Sequence, residues 1–171
     1  PSGVVTAGVG SRRYHVVFSG PGGHSYGAFG IVNPMVAMAG AIKDLYAVKP
    51  PSTPRTTYSA SVTGGGASVN AIPSAVFVDV DLRSEDAGAL ADLDQRFKAA
   101  VDHAVAAENS ARSTAFGSVK AEVKLIGERP AGRTPSDSRL VRITRAAIAA
   151  QGFESTEEAS STDSNIPMSL G

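Results

Sequence analysis

Between Tyr14 and Leu125 the hydrophobic period switches between two and about 3.6 in one fixed order: strand, helix, strand, strand, helix, strand. Tyr14, Val16 and Phe18 alternate with His15 and Val17, and Gly20-Pro21-Gly22-Gly23 breaks the pattern. Gly27 and Gly30 keep the next stretch a loop. Asn33-Pro34 then opens a helix: Asn can accept from the free amides as N-cap, and Pro at the first position loses no hydrogen bond. Met35, Met38, Ala39, Ile42, Leu45 and Tyr46 give this helix an apolar face, and Lys49-Pro50-Pro51 ends it. Arg55–Thr63, rich in Thr, Ser, Tyr and Val, predicts a strand closed by Gly64-Gly65-Gly66. In 75–82, Val76, Val78, Val80 and Leu82 share one face, and Phe77, Asp79 and Asp81 the other. A second helix is predicted over 86–107, with Leu90, Leu93, Phe97, Val101 and Ala104 facing inward. Val119, Ala121, Val123 and Leu125, alternating with Lys120, Glu122 and Lys124, give the clearest half-buried strand.

Two helical crossovers separated by a hairpin predict an α+β unit: a four-stranded antiparallel sheet in the ferredoxin-like βαββαβ order, with both helices on one face. That unit is placed at residues 12–128, after a linker over 1–11. Residues 129–171 fall outside it. There Arg129-Pro130-Ala131-Gly132-Arg133 reads as a linker, and Ser136 or Asp137 as the cap of a third helix carrying Leu140, Ile143, Ala147 and Ile148. Glu157–Asn165 reads as a polar loop. One helix and a loop cannot bury a core alone, so this tail is expected to pack on a further domain. The start, Pro1-Ser2-Gly3-Val4-Val5, and the end, Pro167-Met168-Ser169-Leu170-Gly171, both read as cuts inside a longer chain.

Composition excludes several functions. Lys plus Arg and Asp plus Glu both total 16, so no net charge favours nucleic acid or an anionic membrane, and neither is expected as a partner. No apolar run approaches the roughly 20 residues that cross a bilayer. The absence of cysteine removes disulfides, thiolate zinc sites and thiol nucleophiles.

Three segments could carry chemistry. In Gly20-Pro21-Gly22-Gly23-His24-Ser25 the clustered glycines let backbone approach a ligand or adopt positive φ, and His24 is presented on a loop. The bland alternative is a turn with an exposed histidine. The Walker lysine and the six-residue dinucleotide fingerprint are both missing. In the second segment, Gly64 to Pro73, Asn70 could offer an amide to a substrate; after the following strand, Arg83 could offer a forked donor pair to a carboxylate. Taken singly, each reads as a structural residue first. The third, Ser160-Ser161-Thr162-Asp163-Ser164-Asn165, is otherwise a solvated loop.

In this order the three segments resemble a single family of metallohydrolases. Ser11-Arg12-Arg13-Tyr14 through Gly-Pro-Gly-Gly-His24-Ser25 to Asn33-Pro34 is similar to the start of the inserted dimerisation domain in aminoacylases, succinyl-diaminopimelate desuccinylase, tripeptide aminopeptidase and glutamate carboxypeptidase. Ser68-Val69-Asn70-Ala71-Ile72-Pro73 followed by Asp81-Leu82-Arg83-Ser84 resembles its second signature, and Ser161-Thr162-Asp163-Ser164-Asn165-Ile166-Pro167 a loop of its catalytic domain. The resemblance implies a dimerisation, or lid, domain at 12–128 and a piece of catalytic domain at 129–171. It implies a homodimer, a peptide or N-acyl amino acid substrate, and two zinc ions in the intact enzyme. None of the family's zinc-ligand positions matches here: His15, His24 and His103 are followed two residues on by Val17, Tyr26 and Val105 rather than by Asp. No metal is therefore expected in this chain, and Glu157-Glu158 reads as surface charge. By the same resemblance His24 would enter the partner subunit's active site and stabilise the oxyanion. Asn70, Arg83, Thr162 and Asp163 would contact substrate or line the cleft. Two other readings stay open: a free-standing ferredoxin-like module that binds a small molecule or a partner, and a purely structural dimer module.

Overall fold

The computed structural model describes residues 2–171. Pro1, the first residue of the expected cut, lies outside them. Strands β1 (Ser2–Gly8), β2 (Gly10–Ser19), β3 (Gly23–His24), helix α1 (Pro34–Ala47), β4 (Thr56–Gly65), β5 (Ala71–Ile72) and β6 (Ala75–Ser84) come first. Helix α2 (Ala87–Ala111), β7 (Lys120–Arg129), β8 (Gly132–Arg133), α3 (Arg139–Ala150), β9 (Ser155–Ser160) and α4 (Asn165–Leu170) follow. The main sheet has the order β4-β6-β2-β7, antiparallel throughout, with α1 and α2 packed on it. This is the expected ferredoxin-like arrangement.

Local chemistry sets the helix starts. The Asn33 side chain accepts from the Met35 amide at 2.9 Å with Pro34 in the first turn, and Asp86 accepts from Ala89 at 2.8 Å. All five residues expected to face inward on α2 are buried. On α1 the buried side is Ala37, Met38, Ala41 and Leu45, whereas Met35, Ala39 and Tyr46 are exposed. The reason is small-residue packing: a Cβ on Gly40 would stand 3.3 Å from the Cβ of Ala104, so α1 turns its Gly–Ala side toward α2. Tyr14, Val16 and Phe18 of β2 and Val76, Val78, Val80 and Leu82 of β6 complete the core. On β7, Ala121 and Val123 are half-buried, but Leu125 is exposed. Leu125 pairs with Tyr14 on the core side, yet lies on an edge strand beside a register shift at Arg13/Tyr14.

One polar cluster is buried in this core. Asp94 of α2 accepts from Tyr14 Oη at 2.5 Å and Lys98 Nζ at 2.8 Å, and pairs with Arg12 Nη1 at 2.9 Å. Arg12 also reaches Glu128 at 3.1 Å, so the cluster bolts α2 to β2 and β7. Burial pushes the Asp94 carboxyl up. The donors Lys98 and Tyr14 and the charges of Lys98 and Arg12 outweigh that and hold it below the ordinary carboxylate range.

The terminal segments differ from their expected form. The lead-in is not a linker but strand β1, which pairs in parallel with β9 from Ser2↔Ser155 to Gly8↔Ser160. The stretch read as a polar loop takes in the second half of β9 and the first residue of α4, and part of the second linker is β8, antiparallel to β1. These strands form a second sheet, β8-β1-β9. Fully buried Asn165 staples it to the main unit: its Nδ2 donates to the carbonyls of Val9 (2.8 Å) and Pro130 (2.9 Å), and its Oδ1 accepts from Thr162 (2.9 Å). Helix α3 starts one residue later than expected, with Ser138 as cap. Only Val141 of α3 is buried, and Leu140 and Ile143 stay exposed.

Candidate functional site

The two glycine-rich segments, distant in sequence, meet at one end of the main sheet. β3 and β5 form a two-residue antiparallel ribbon with Gly23 opposite Ile72 and His24 opposite Ala71. The ribbon continues on both sides, because Ser25 N–H donates to the Asn70 carbonyl and Gly20 N–H to the Ser74 carbonyl, each at 2.9 Å. The glycines serve this chain-on-chain approach. Gly22 has φ +66°, and a Cβ there would stand 3.1 Å from the Cβ of Ser74; one on Gly23 would stand 2.8 Å from the Cβ of Ala28.

His24 is exposed, but its ring is oriented. The backbone N–H groups of Tyr26 and Gly27 donate to Nδ1 at 3.3 and 3.5 Å. With Nδ1 accepting, the ring carries its proton on Nε2, which is left as a donor. In the turn that leads into β5 the Ser68 hydroxyl donates to Asn70 Oδ1. That orients the amide so that the Nδ2 donors remain for an incoming oxygen. The site thus holds two side chains with N–H donors close together on the exposed end of the ribbon, His24 on β3 and Asn70 in the turn that leads into β5.

The other expected site residues lie elsewhere. Arg83 is at the far end of β6, eight residues from Ala75 and hence about 26 Å away along the strand. Its Nε donates to Asp81 at 2.6 Å, and with Arg55 and Glu85 it borders a shallow cleft. Thr162 and Asp163 belong to the turn before α4: Thr162 Oγ1 accepts from Ser164, and Asp163 accepts from Arg129 Nη2 at 3.1 Å. The structure therefore brings His24 and Asn70 together and keeps Arg83, Thr162 and Asp163 apart from them. Glu157 lies on β9 and accepts from Ser136 (2.6 Å), Thr6 and Arg145 (both 3.3 Å), a structural role that ties α3 to β1. Among the described residues no group of three or more His, Cys, Asp or Glu could hold a metal ion, so these side chains do not fit a zinc centre.

Three side chains beside the ribbon escaped the sequence reading. Tyr26 and Phe29 are each 90 % exposed, and Val69 is fully exposed. They follow no helical or strand period. The signal available was the placement of two aromatics between glycines, at Gly23, Gly27 and Gly30.

Comparisons with known proteins bear on this geometry. Residues 6–109 match the model of the peptidase dimerisation domain. No curated protein matches the chain significantly. Among solved structures, an amidase of the hydantoinase/carbamoylase family from Burkholderia vietnamiensis superposes with a TM-score of 0.77 at 22% identity, over 94% of this chain and 37% of its own. The aminobenzoyl-glutamate utilization protein of Klebsiella pneumoniae gives 0.74 at 24%, over 96% and 42%. Aminopeptidase PepT of Bacillus cereus gives 0.73 at 18%, over 96% and 41%. At these identities the likeness establishes the fold. The chain spans about two fifths of the length of these solved relatives.

Proposed function

The chain belongs to the peptidase dimerisation domain family, and from that premise we propose that it is the dimerisation unit of a zinc-dependent hydrolase of peptide or N-acyl amide bonds. In this reading His24 of one subunit reaches the partner's active site and donates from Nε2 to the carbonyl oxygen as it becomes an oxyanion. Asn70 offers its amide beside it. The observation that supports the reading is the β3–β5 ribbon, which holds His24, with Asn70 in the adjoining turn, at one end of the sheet. Arg83, Thr162 and Asp163, at the other end, would serve the substrate bound by their own subunit. The two zinc ions would be held by residues other than those described here, so the chain alone is expected to hydrolyse nothing.

The second subunit has a natural seat. Of the two sheet edges, β7 carries five charged residues, Lys120, Glu122, Lys124, Glu128 and Arg129, which guard an edge against pairing. β4 carries none over its ten residues. Beside β4 runs a mainly apolar groove lined by Ile42, Tyr46, Ala60, Val62 and Val78, of which Tyr46 and Val62 are exposed. A two-fold pairing of this edge would bury an uncharged surface against its own copy.

The test is Val62→Lys in the whole enzyme. The new cation can pair with Asp79, its cross-strand neighbour, so the subunit should keep its fold. Burying that cation in a dimer is unfavourable, and the dissociation constant read by sedimentation should rise at least about tenfold. Activity should fall in step with the dimer fraction. A variant that is monomeric yet fully active would contradict delivery of His24 in trans.

A further inference from the structure

Two carboxylates are buried among the described residues, Asp94 and Glu108. Asp94 ties α2 to the sheet. Glu108, in the last turn of α2, is bonded elsewhere: its Oε1 accepts from the backbone N–H of Asn33 and from Arg112 Nε, each at 2.8 Å. These two donors flank a short parallel bridge between Ile31 and Ser113. Ser113 N–H donates to the Gly30 carbonyl at 3.0 Å, and Val32 N–H donates to the Ser113 carbonyl at 3.1 Å. Glu108 thus clasps the residue after Val32 to the residue before Ser113. Its side chain is only 3 % exposed, and the desolvation of its charge is offset by these donors, one of them a cation.

The bridge is the exit of the histidine turn. Ile31 N–H donates to the Ala28 carbonyl at 3.3 Å, and Ala28 N–H to the His24 carbonyl at 2.8 Å. A Cβ built on Gly23 would stand 3.5 Å from Ile31 Cδ1, so the exit lies against the strand that enters the turn. Residues 24–27 are exposed, whereas Ile31 and Val32 are buried. The place of the imidazole is therefore set at the base of the turn, by the β3–β5 ribbon on one side and by the end of α2 on the other.

We infer that Glu108 is a positioning residue for His24: by clasping the exit of the turn to α2 it sets the point from which the imidazole is presented. The inference rests on the reading of His24 given above. Its weight in the rate follows from geometry, because a misplacement of about 1 Å in a stabilising group lowers a rate by up to about a hundredfold.

The experiment uses the whole enzyme carrying Glu108→Met or Glu108→Gln, each alone and combined with His24→Ala. Met keeps the volume and removes the acceptor, whereas Gln keeps an acceptor oxygen for Asn33. Glu108→Met should lower kcat about tenfold with KM within about twofold and the dimer mass retained. Glu108→Gln should hold kcat within about threefold of the unmodified enzyme. Combined with His24→Ala, Glu108→Met should change kcat by less than about twofold, because its effect runs through the missing ring. A full loss in that background would overturn the inference, since Glu108 would then act on the fold at large. An unchanged kcat for Glu108→Met would overturn it as well. If Glu108→Met does not fold, Arg112→Met, at a partly exposed side chain, carries the same comparison. It should lower kcat about threefold with His24 present and not without it; equal effects in both backgrounds would overturn the inference. His24→Ala alone separates the two levels. If that variant keeps full activity, the reading of His24 fails; if it loses activity while the Glu108 variants act alike in both backgrounds, only the positioning assignment fails.

Discussion

Replacing His24 by Ala in the whole enzyme should lower kcat by about 10²–10³-fold and leave KM close to its original value. The size follows from the proposed role. A donor aimed at an oxygen that becomes negative only during reaction gives its stabilisation in the transition state, about 3–4 kcal/mol for one such donor. It holds the ground-state carbonyl much less strongly, so binding is little affected. Stability should not change by more than about 0.5 kcal/mol, because His24 is exposed and its ring accepts only from two amides of an exposed turn. His24→Gln keeps an N–H donor of similar reach and should recover part of the rate. Steady-state kinetics with a thermal-unfolding control checks all three statements. A loss confined to KM would instead mean that the histidine binds substrate.

The second large effect is on the fold. Asp94→Ala should destabilise the domain by about 3 kcal/mol, read from the denaturant midpoint. The carboxylate is 6 % exposed and is the common acceptor of Tyr14, Lys98 and Arg12. Lys98 and Arg12 are partly exposed and can rehydrate once it is gone. The Tyr14 hydroxyl lies in the core and is left without its partner. Asp94→Asn keeps an acceptor for Tyr14 but removes the charge, and should cost roughly half as much. The pH dependence has a definite sign. The folded Asp94 carboxyl lies below its unfolded value of about 3.9, so its contribution is complete above that pH and lost as pH falls through the folded value. Asp94→Asn should therefore flatten the acid limb of the stability profile. An unchanged acid limb would show that other carboxylates govern it.

The parts of this fold that can be read in the sequence are those whose burial repeats with a local period. The β2 alternation of Tyr14, Val16 and Phe18 and the α2 face of Leu90, Leu93, Phe97 and Val101 each bury the residues that the pattern selects. The Asn33-Pro34 start of α1 is legible for a different reason, because the cap is a local hydrogen bond. The pairing of β1 with β9 is not legible. Its partners are about 150 residues apart, and Ser155–Ser160 contains two glutamates and no large apolar residue; β9 is a strand because β1 lies beside it. The α1 face failed for a packing reason, since Gly40 rather than Met35 or Tyr46 sets the approach to α2.

The candidate site was legible as residue types and not as geometry. His24 and Asn70 stood out by their glycine-rich settings, but the ribbon that joins them is two residues long and carries no period of its own. Arg83 showed the opposite limit. Its forked donors suggest a carboxylate ligand, and in the fold one already faces it: Asp81, two residues back on the same strand. Tyr26, Phe29 and Val69 were missed because exposure is decided by what a side chain packs against, and these three are left in solvent.

The central claim, that this domain delivers its histidine across a two-fold interface, is tested most directly by mixing two defective enzymes. One carries His24→Ala. The other keeps His24 but has its catalytic centre disabled at a position outside this chain. After subunit exchange, a mixed dimer pairs the intact centre of the first with the histidine of the second. Random pairing of equal amounts should restore about a quarter of the unmodified activity, from one working site in half of the dimers. Activity no higher than that of the two parents, with exchange confirmed by mass, would place His24 in the active site of its own subunit and contradict the account.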